Sequence, residues 1–366
     1  MSRRDRGRST ISSSGATKRF DVAVVGCGAI SHEHLAYLSA SPAVRLVAVC
    51  DTSEATALFA HRRFGGERWF TDVNEMLVEA RPEVVHVLTP PQTHKSLIEL
   101  CLRADAHVIC EKPMTGSAAE TASLLGLAKD RGRLLVETRN MLFNDVVRTV
   151  DDLIGRGQLG AVKEVDVLLS LDLTAGPFGD LNLLGPGVAL PGGAVHDFLP
   201  HLAYLFLHFA GHAAPVDDVV GCIANFSGNA RVGFDHMDAL VRAGDCRGRL
   251  RIASDVAPDV FRLTVRGSAG TVETDFYNPF MRFQGTANSG KRAPIEQVVS
   301  GLQLAGAGFL NLRDKVLQHG TYHGLPRMLD AIYQGLQAGE APAVREDDVI
   351  ATAMLVDRLV QLRGGT

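Results

Sequence analysis

The chain has 366 residues, enough for two packed cores, and 46% hydrophobic with 21% charged residues is the balance of a globular protein rather than of a disordered or fibrous one. A formal net charge of −4 gives no general attraction to nucleic acid or to an anionic membrane surface, so neither is expected as a partner. The six cysteines (Cys27, Cys50, Cys101, Cys110, Cys222 and Cys246) form no CxxC pair and no metal spacing, which points to reduced structural thiols in a cytoplasm.

Residues 1–18 carry Arg3, Arg4, Arg6 and Arg8 and a serine run without the apolar stretch of a signal peptide, and a disordered tail is expected there. From residue 20 the chain alternates strand and helix. Residues 20–25 are an apolar, β-rich run that stops at Gly26, Cys27, Gly28, Ala29, Ile30 and Ser31 and gives way to a helix reaching about residue 39. A second apolar run, 44–50, is closed by Asp51. This is the order of a dinucleotide-binding βαβ unit: small residues let the backbone approach a pyrophosphate at a helix N-terminus, and an acid after the second strand accepts the ribose hydroxyls. Asp51 favours NAD over NADP, because a carboxylate repels a 2′-phosphate and Thr52 and Ser53 supply no arginine to reverse that.

The alternation continues with a helix over 53–63, a strand at 68–70, a helix over 73–80 and a strand over 84–88. That strand runs into Thr89, Pro90, Pro91, Gln92, Thr93 and His94, and a helix follows to about residue 103. Loops at strand ends of such sheets face the cofactor, so Thr89, Pro90 and His94 are candidate nicotinamide-side neighbours. The next apolar run, Val108, Ile109 and Cys110, ends in Glu111, Lys112 and Pro113. A core strand needs only apolar residues along its length, so a charged pair at its carboxyl end invites a chemical explanation, and Lys112 is the leading catalytic candidate. A helix over 117–131 and a strand over 133–138 complete a doubly wound parallel sheet.

The Gly26 to Ile30 turn, the Thr89, Pro90, Pro91 and His94 loop, and Glu111, Lys112 and Pro113, in this order, resemble the Gfo/Idh/MocA family of nicotinamide-dependent oxidoreductases. The resemblance implies a Rossmann domain at 19–140, followed at 141–366 by an α+β domain with a large, mostly antiparallel sheet and C-terminal helices. It also implies that Lys112 lies at nicotinamide and substrate, with Glu111 beside the cofactor, and that the substrate is a sugar, sugar derivative or cyclitol oxidised or reduced at a secondary carbinol. Homo-oligomerisation, as a dimer or tetramer through the open face of the large sheet, is a further implication.

In the second half, a helix over 144–156 is followed by strands at 162–171, 218–224, 237–242, 250–253, 261–265 and 271–274, several of them joined only by glycine or polar turns. Between the first two, Gly192 and Gly193 lead into a stretch read as helix, on which Asp197 and His201, four residues apart, share a face. An imidazole beside a carboxylate is a general base, and both positions match the motif of the family resembled. The roles that follow are His201 taking or returning the hydroxyl proton, Asp197 orienting His201, and Lys112 donating charge or a hydrogen bond to the substrate oxygen. The chain departs from the family pattern at Leu199 and Pro200 and at Tyr204, which stands where an Asp is frequent, and these departures bear on the substrate class. The Gly/Pro/Leu-rich segment 173–191 is read as a lid or pocket wall, and Tyr322 and His323, before the penultimate helix, as substrate neighbours. His208 and His212 have i, i+4 spacing but no partner ligand at a recognisable spacing, so no metal is expected. Final helices are expected over 327–338 and 347–362. Two other activities fit the same residues, a ketosugar reductase and an imine reductase, and one reading is of another class, a dinucleotide-sensing regulatory protein.

Overall fold

The computed structural model describes residues 18–172, 188–211, 215–229, 232–254, 256–285, 293–317 and 324–362. The expectations for the N-terminal tail up to residue 17, for most of the 173–191 segment, and for Tyr322 and His323 lie outside the described residues.

The first half forms a six-stranded sheet in the order β3-β2-β1-β4-β5-β6, with every pairing parallel. Its strands are β1 (Phe20–Val25), β2 (Val44–Cys50), β3 (Arg68–Phe70), β4 (Val84–Val87), β5 (His107–Cys110) and β6 (Leu135–Glu137). They alternate with α1 (Ser31–Ala40), α2 (Glu54–Phe64), α3 (Val73–Ala80), α4 (Pro91–Arg103) and α5 (Ala118–Asp130). All four residues of β4 are buried, as the centre of a sheet covered on both faces requires. The helices begin where capping chemistry says they should: Asp72 accepts the backbone N–H groups of Asn74 and Glu75, Ser53 accepts that of Thr56, and Pro91 opens α4 where a missing N–H costs nothing.

After α6 (Asp145–Gly155) the chain builds a seven-stranded sheet in the order β13-β12-β11-β7-β10-β9-β8. Its strands are β7 (Val162–Ser170), β8 (Val216–Ala224), β9 (His236–Ala243), β10 (Cys246–Ala253), β11 (Val260–Gly267), β12 (Gly270–Asp275) and β13 (Met281–Gly285). Only β7 and β10 pair in parallel. One face is covered by α7 (Leu199–Ala210), whose Phe206 ring occupies the space that a Cβ on Gly248 of β10 would need. On the other side Val220 and Leu240 are more than half exposed.

Three further helices follow: α8 (Ala293–Leu317), α9 (Leu325–Ala338) and α10 (Glu346–Val360). Sequence reading had identified neither α8 nor β13. Leu325, Met328, Leu329, Ile332 and Tyr333 of α9 join the hydrophobic core of the parallel sheet, whereas Leu355, Val356 and Leu359 of α10 join the core under the seven-stranded one. The end of the chain thus packs against both halves. No helix among the described residues is long and apolar enough to cross a membrane.

Candidate active site

The glycine turn after β1 follows from backbone geometry. Gly26 has φ of 91°, and a Cβ there would lie 2.8 Å from the Leu88 carbonyl carbon and from the Thr89 side chain, so only glycine fits where the turn passes the end of β4. A Cβ on Gly28, by contrast, would meet nothing within 4 Å. Gly28, Ala29, His32, Thr56 and Phe59 border a groove of about 410 Å³ between the starts of α1 and α2. Ile30 stands at the N-cap of α1. Ser31, where a third glycine is often found, turns its hydroxyl back onto the Gly28 carbonyl at 2.6 Å and is itself buried.

Asp51 holds this turn in place. One carboxylate oxygen accepts the Cys27 N–H at 2.8 Å and the other the Ser53 N–H at 2.9 Å. A carboxylate has about four acceptor positions, so two bonds leave capacity for ribose hydroxyls. An unobstructed glycine turn, a helix start and an available carboxylate together fit a dinucleotide.

At the carboxyl ends of β4 and β5 the candidate chemistry converges. Lys112 Nζ lies 2.9 Å from Asp197 Oδ2 and 2.9 Å from the Asp197 carbonyl, each side chain keeping only 14% of its surface. His201 is 8% exposed, and burial, helped by the Lys112 charge, holds its pKa well below the usual histidine value, so the ring is neutral. The reading of Asp197 as the residue that orients His201 needs correcting. The segment Gly193–Asp197 is a 3-10 turn, Phe198 separates it from α7, and the two side chains do not share a helical face. Asp197 is turned to Lys112, and the partner of His201 Nδ1 is the Tyr204 hydroxyl, at 2.6 Å. The glycine pair has its own reason: Gly193, at φ of 64°, passes so close to Gly233 that a Cβ would lie 2.5 Å from the Gly233 nitrogen.

Thr89 and Pro90 form the loop after β4, and His94 is fully buried beneath it. Its Nε2 is 2.7 Å from the Thr89 carbonyl and its Nδ1 2.9 Å from that of Pro113. His94 therefore joins the Thr89 loop to the Lys112 loop rather than offering an accessible edge to a cofactor. Glu111 likewise acts beneath the surface. Burial opposes its charge, but the hydrogen bond and charge of His34 and the charge of Lys112 hold its pKa below the usual carboxylate value. Its other oxygen accepts the Lys112 N–H at 3.2 Å.

Sequence reading missed the network behind these residues. His34 Nε2 is 3.2 Å from Glu111, His34 Nδ1 is 2.9 Å from His86 Nδ1, and His86 Nε2 is 2.9 Å from the Tyr333 hydroxyl on α9. Both histidines are fully buried, and a histidine inside the apolar run Val84, Val85, His86, Val87 was the available signal. The second omission is Glu137, whose Oε2 accepts the Met114 N–H at 2.9 Å while Oε1 pairs with the buried Arg139 at 3.2 Å, fixing the far side of the Lys112 loop. Among the described residues no group of His, Cys, Asp and Glu is arranged to hold a metal ion.

A glycine turn aimed at a helix start, with a largely enclosed lysine at the carboxyl end of the same parallel sheet, is the arrangement a nicotinamide-dependent oxidoreductase uses. Residues 20–138 match the family model described as oxidoreductase family, NAD-binding Rossmann fold. This segment is an NAD(P)-binding Rossmann domain of the Gfo/Idh/MocA type. The chain is 24% identical to D-apiose dehydrogenase of Paraburkholderia graminis over 363 residues, covering 89% of this chain and 93% of that one. Several further curated oxidoreductases align at 27–36% identity over less than half of their own lengths. Among solved structures, the WlbA dehydrogenase of Bordetella pertussis in complex with NADH and UDP-GlcNAcA superposes with a TM-score of 0.77 at 19% identity, covering 94% of this chain and 96% of that one. KijD10, a 3-ketoreductase from Actinomadura kijaniata in complex with NADP and TDP-benzene, superposes with a TM-score of 0.72 at 21% identity, over 95% and 98%.

Proposed function

We propose that the protein transfers a hydride between a nicotinamide cofactor and a secondary carbinol of a sugar, sugar derivative or cyclitol. The observation that carries this reading is the Lys112–Asp197 ion pair beside neutral His201, at the sheet end that also presents the glycine turn. When bound, the nicotinamide ring supplies or takes up the hydride. Lys112 stabilises alkoxide character on the substrate oxygen, a contribution that is largest where water is sparse. Asp197 holds the ammonium in position through both its carboxylate and its carbonyl. His201 is the second polar group for the same oxygen. Support for the substrate class comes from the relatives, which are named for apiose oxidation, for a bound nucleotide sugar and for 3-keto reduction. Physiological reduction of a ketosugar is the second reading. The ion pair is compatible with it, because Asp197 keeps Lys112 protonated and so keeps a proton at the site.

Between the two dinucleotides we assign NAD, on the strength of Asp51 and the absence of an arginine at positions 52 and 53. The division into a dinucleotide-binding domain at 19–140 and a substrate domain at 141–366, with α9 returning to the first core, is part of the same proposal. So is a homo-oligomer formed through the open sheet face around Val220 and Leu240. So too is a cytoplasmic location, supported by six free cysteines, five of them buried.

The test is absorbance at the reduced-nicotinamide band while the protein, with NAD or NADP, meets a panel of cyclitols, free sugars and nucleotide sugars. A substrate-dependent signal establishes the reading. Silence with dinucleotide binding intact contradicts it in favour of imine reduction or a sensing role.

A further inference from the structure

Tyr204 follows His201 on α7, is 1% exposed, and brings its hydroxyl within 2.6 Å of His201 Nδ1. Its ring meets the imidazole edge to face at 5.5 Å, with the Arg139 guanidinium 5.5 Å from the ring centre. Burial holds the phenol well above its usual range, so the proton stays on it. Among the described residues the acceptor within reach of the O–H is His201 Nδ1. The opposite arrangement, Nδ1–H donating to the phenol, would strand a buried O–H. The groups facing His201 are the Lys112 ammonium, Tyr204 and the Phe261 ring, and none of them is an anion that would favour a second proton on the imidazole.

We propose that Tyr204 is a positioning residue that fixes His201 as the neutral tautomer with its proton on Nε2. His201 then meets the substrate oxygen as a hydrogen-bond donor, and the proton exchanged at that oxygen is carried by Lys112. This rests on the hydride-transfer reading. In the reductive direction the ketone takes up a hydride at carbon from the reduced cofactor and one ammonium proton of Lys112 at oxygen, leaving the alcohol and a neutral amine beside Asp197. In the oxidative direction the neutral amine takes the carbinol proton as the hydride leaves carbon. His201 neither gains nor loses a proton in either direction. It holds the oxygen with its N–H and gives way to no base role, since its lone pair is occupied by Tyr204.

The test reads the tautomer itself. In full-length protein labelled with 15N-histidine, the His201 resonances are assigned by their disappearance in His201→Gln. A protonated Nε2 and an unprotonated, hydrogen-bonded Nδ1, unchanged between about pH 6 and 8, are expected. Tyr204→Phe should mix the two tautomers, an effect that a merely structural tyrosine would not produce, while burial and the Lys112 charge keep the ring neutral over that range. A proton on Nδ1 in the wild-type protein overturns the proposal. Because this needs no turnover, it separates failure of the tautomer assignment from failure of the hydride-transfer reading. Once a substrate is known, His201→Gln, which keeps an N–H, should lower kcat about tenfold and His201→Ala about 10²–10³-fold. Equal losses in the two variants would mean that His201 works as a base, against the proposal.

Discussion

Lys112 and Asp197 lie 85 positions apart in sequence, and the side chain of one contacts the other at two points, the carboxylate and the backbone carbonyl, both at 2.9 Å. One residue lies in the loop just after β5 of the parallel sheet and the other ends the 3-10 turn before α7, so this contact joins the dinucleotide-binding half to the half that carries the seven-stranded sheet.

Removing one member of this largely enclosed pair leaves an uncompensated charge. Asp197→Asn should lower kcat by about 10²–10³-fold, within the range for loss of a proton-transferring arrangement. It should also destabilise the fold by on the order of 3 kcal/mol, read from urea midpoints. The double variant Lys112→Met with Asp197→Asn should lose less than the sum of the two singles, because each single change already breaks the pair.

Asp51 stabilises the glycine turn and, on the proposed reading, the ribose of NAD. Asp51→Ala should weaken NAD binding by about 10–100-fold, as loss of hydrogen bonds to a charged acceptor does, and narrow the gap between NAD and NADP. Isothermal titration with each dinucleotide measures both effects. An unchanged preference would remove Asp51 from cofactor selection.

The buried chain from Tyr333 through His86 and His34 to Glu111 has one donor for each acceptor if both imidazoles are neutral. Tyr333 donates to His86 Nε2, His86 Nδ1–H to His34, and His34 Nε2–H to Glu111. Tyr333→Phe leaves His86 with an unfilled acceptor and should cost about 1–3 kcal/mol in urea unfolding.

Stability should fall as the solution is acidified, and the sign follows from buried histidines. Burial pushes His196 down to about 4, and it depresses His86, His94 and His201 as well. In the unfolded chain these rings protonate near pH 6.5, about where free histidine does, and in the folded chain only at lower pH. Their contribution is thus fully present above about pH 6.5 and is lost as pH drops towards the folded values, a few kcal/mol for His196 alone. Urea midpoints between about pH 7.5 and 4.5 should decline, and His196→Gln should flatten the slope.

Much of the first half was legible because its strands are continuous apolar runs bounded by glycine, proline and acid, the pattern a doubly covered parallel sheet imposes. The strand at Arg68–Phe70 and the helix at Val73–Ala80 match the sequence reading residue for residue. In the second sheet β10 was read from 250, yet it begins at Cys246, because Arg247, Arg249 and Arg251 alternate with inward Gly248 and Leu250 and obscure the strand. The edge strand β13 is partly exposed along its whole length, and α8 exposes Val298, Leu302 and Phe309, so neither shows the apolar face that sequence reading depends on. Within the candidate site, the sequence singled out Lys112, Asp197 and His201 but not how their side chains pair. Spacing implied an Asp–His pair on one helix, and the 3-10 winding of Gly193–Asp197 before α7 turned Asp197 to Lys112 and left His201 to Tyr204.

The most direct measurement compares wild type with Lys112→Met on the first substrate that responds, following reduced nicotinamide by absorbance and dinucleotide affinity by titration. The account predicts that kcat falls by at least about 10²-fold while NAD affinity stays within a few-fold, as removal of a group acting at the reacting oxygen requires. Turnover that survives undiminished in Lys112→Met would contradict it and move the chemistry away from the Lys112–Asp197 pair.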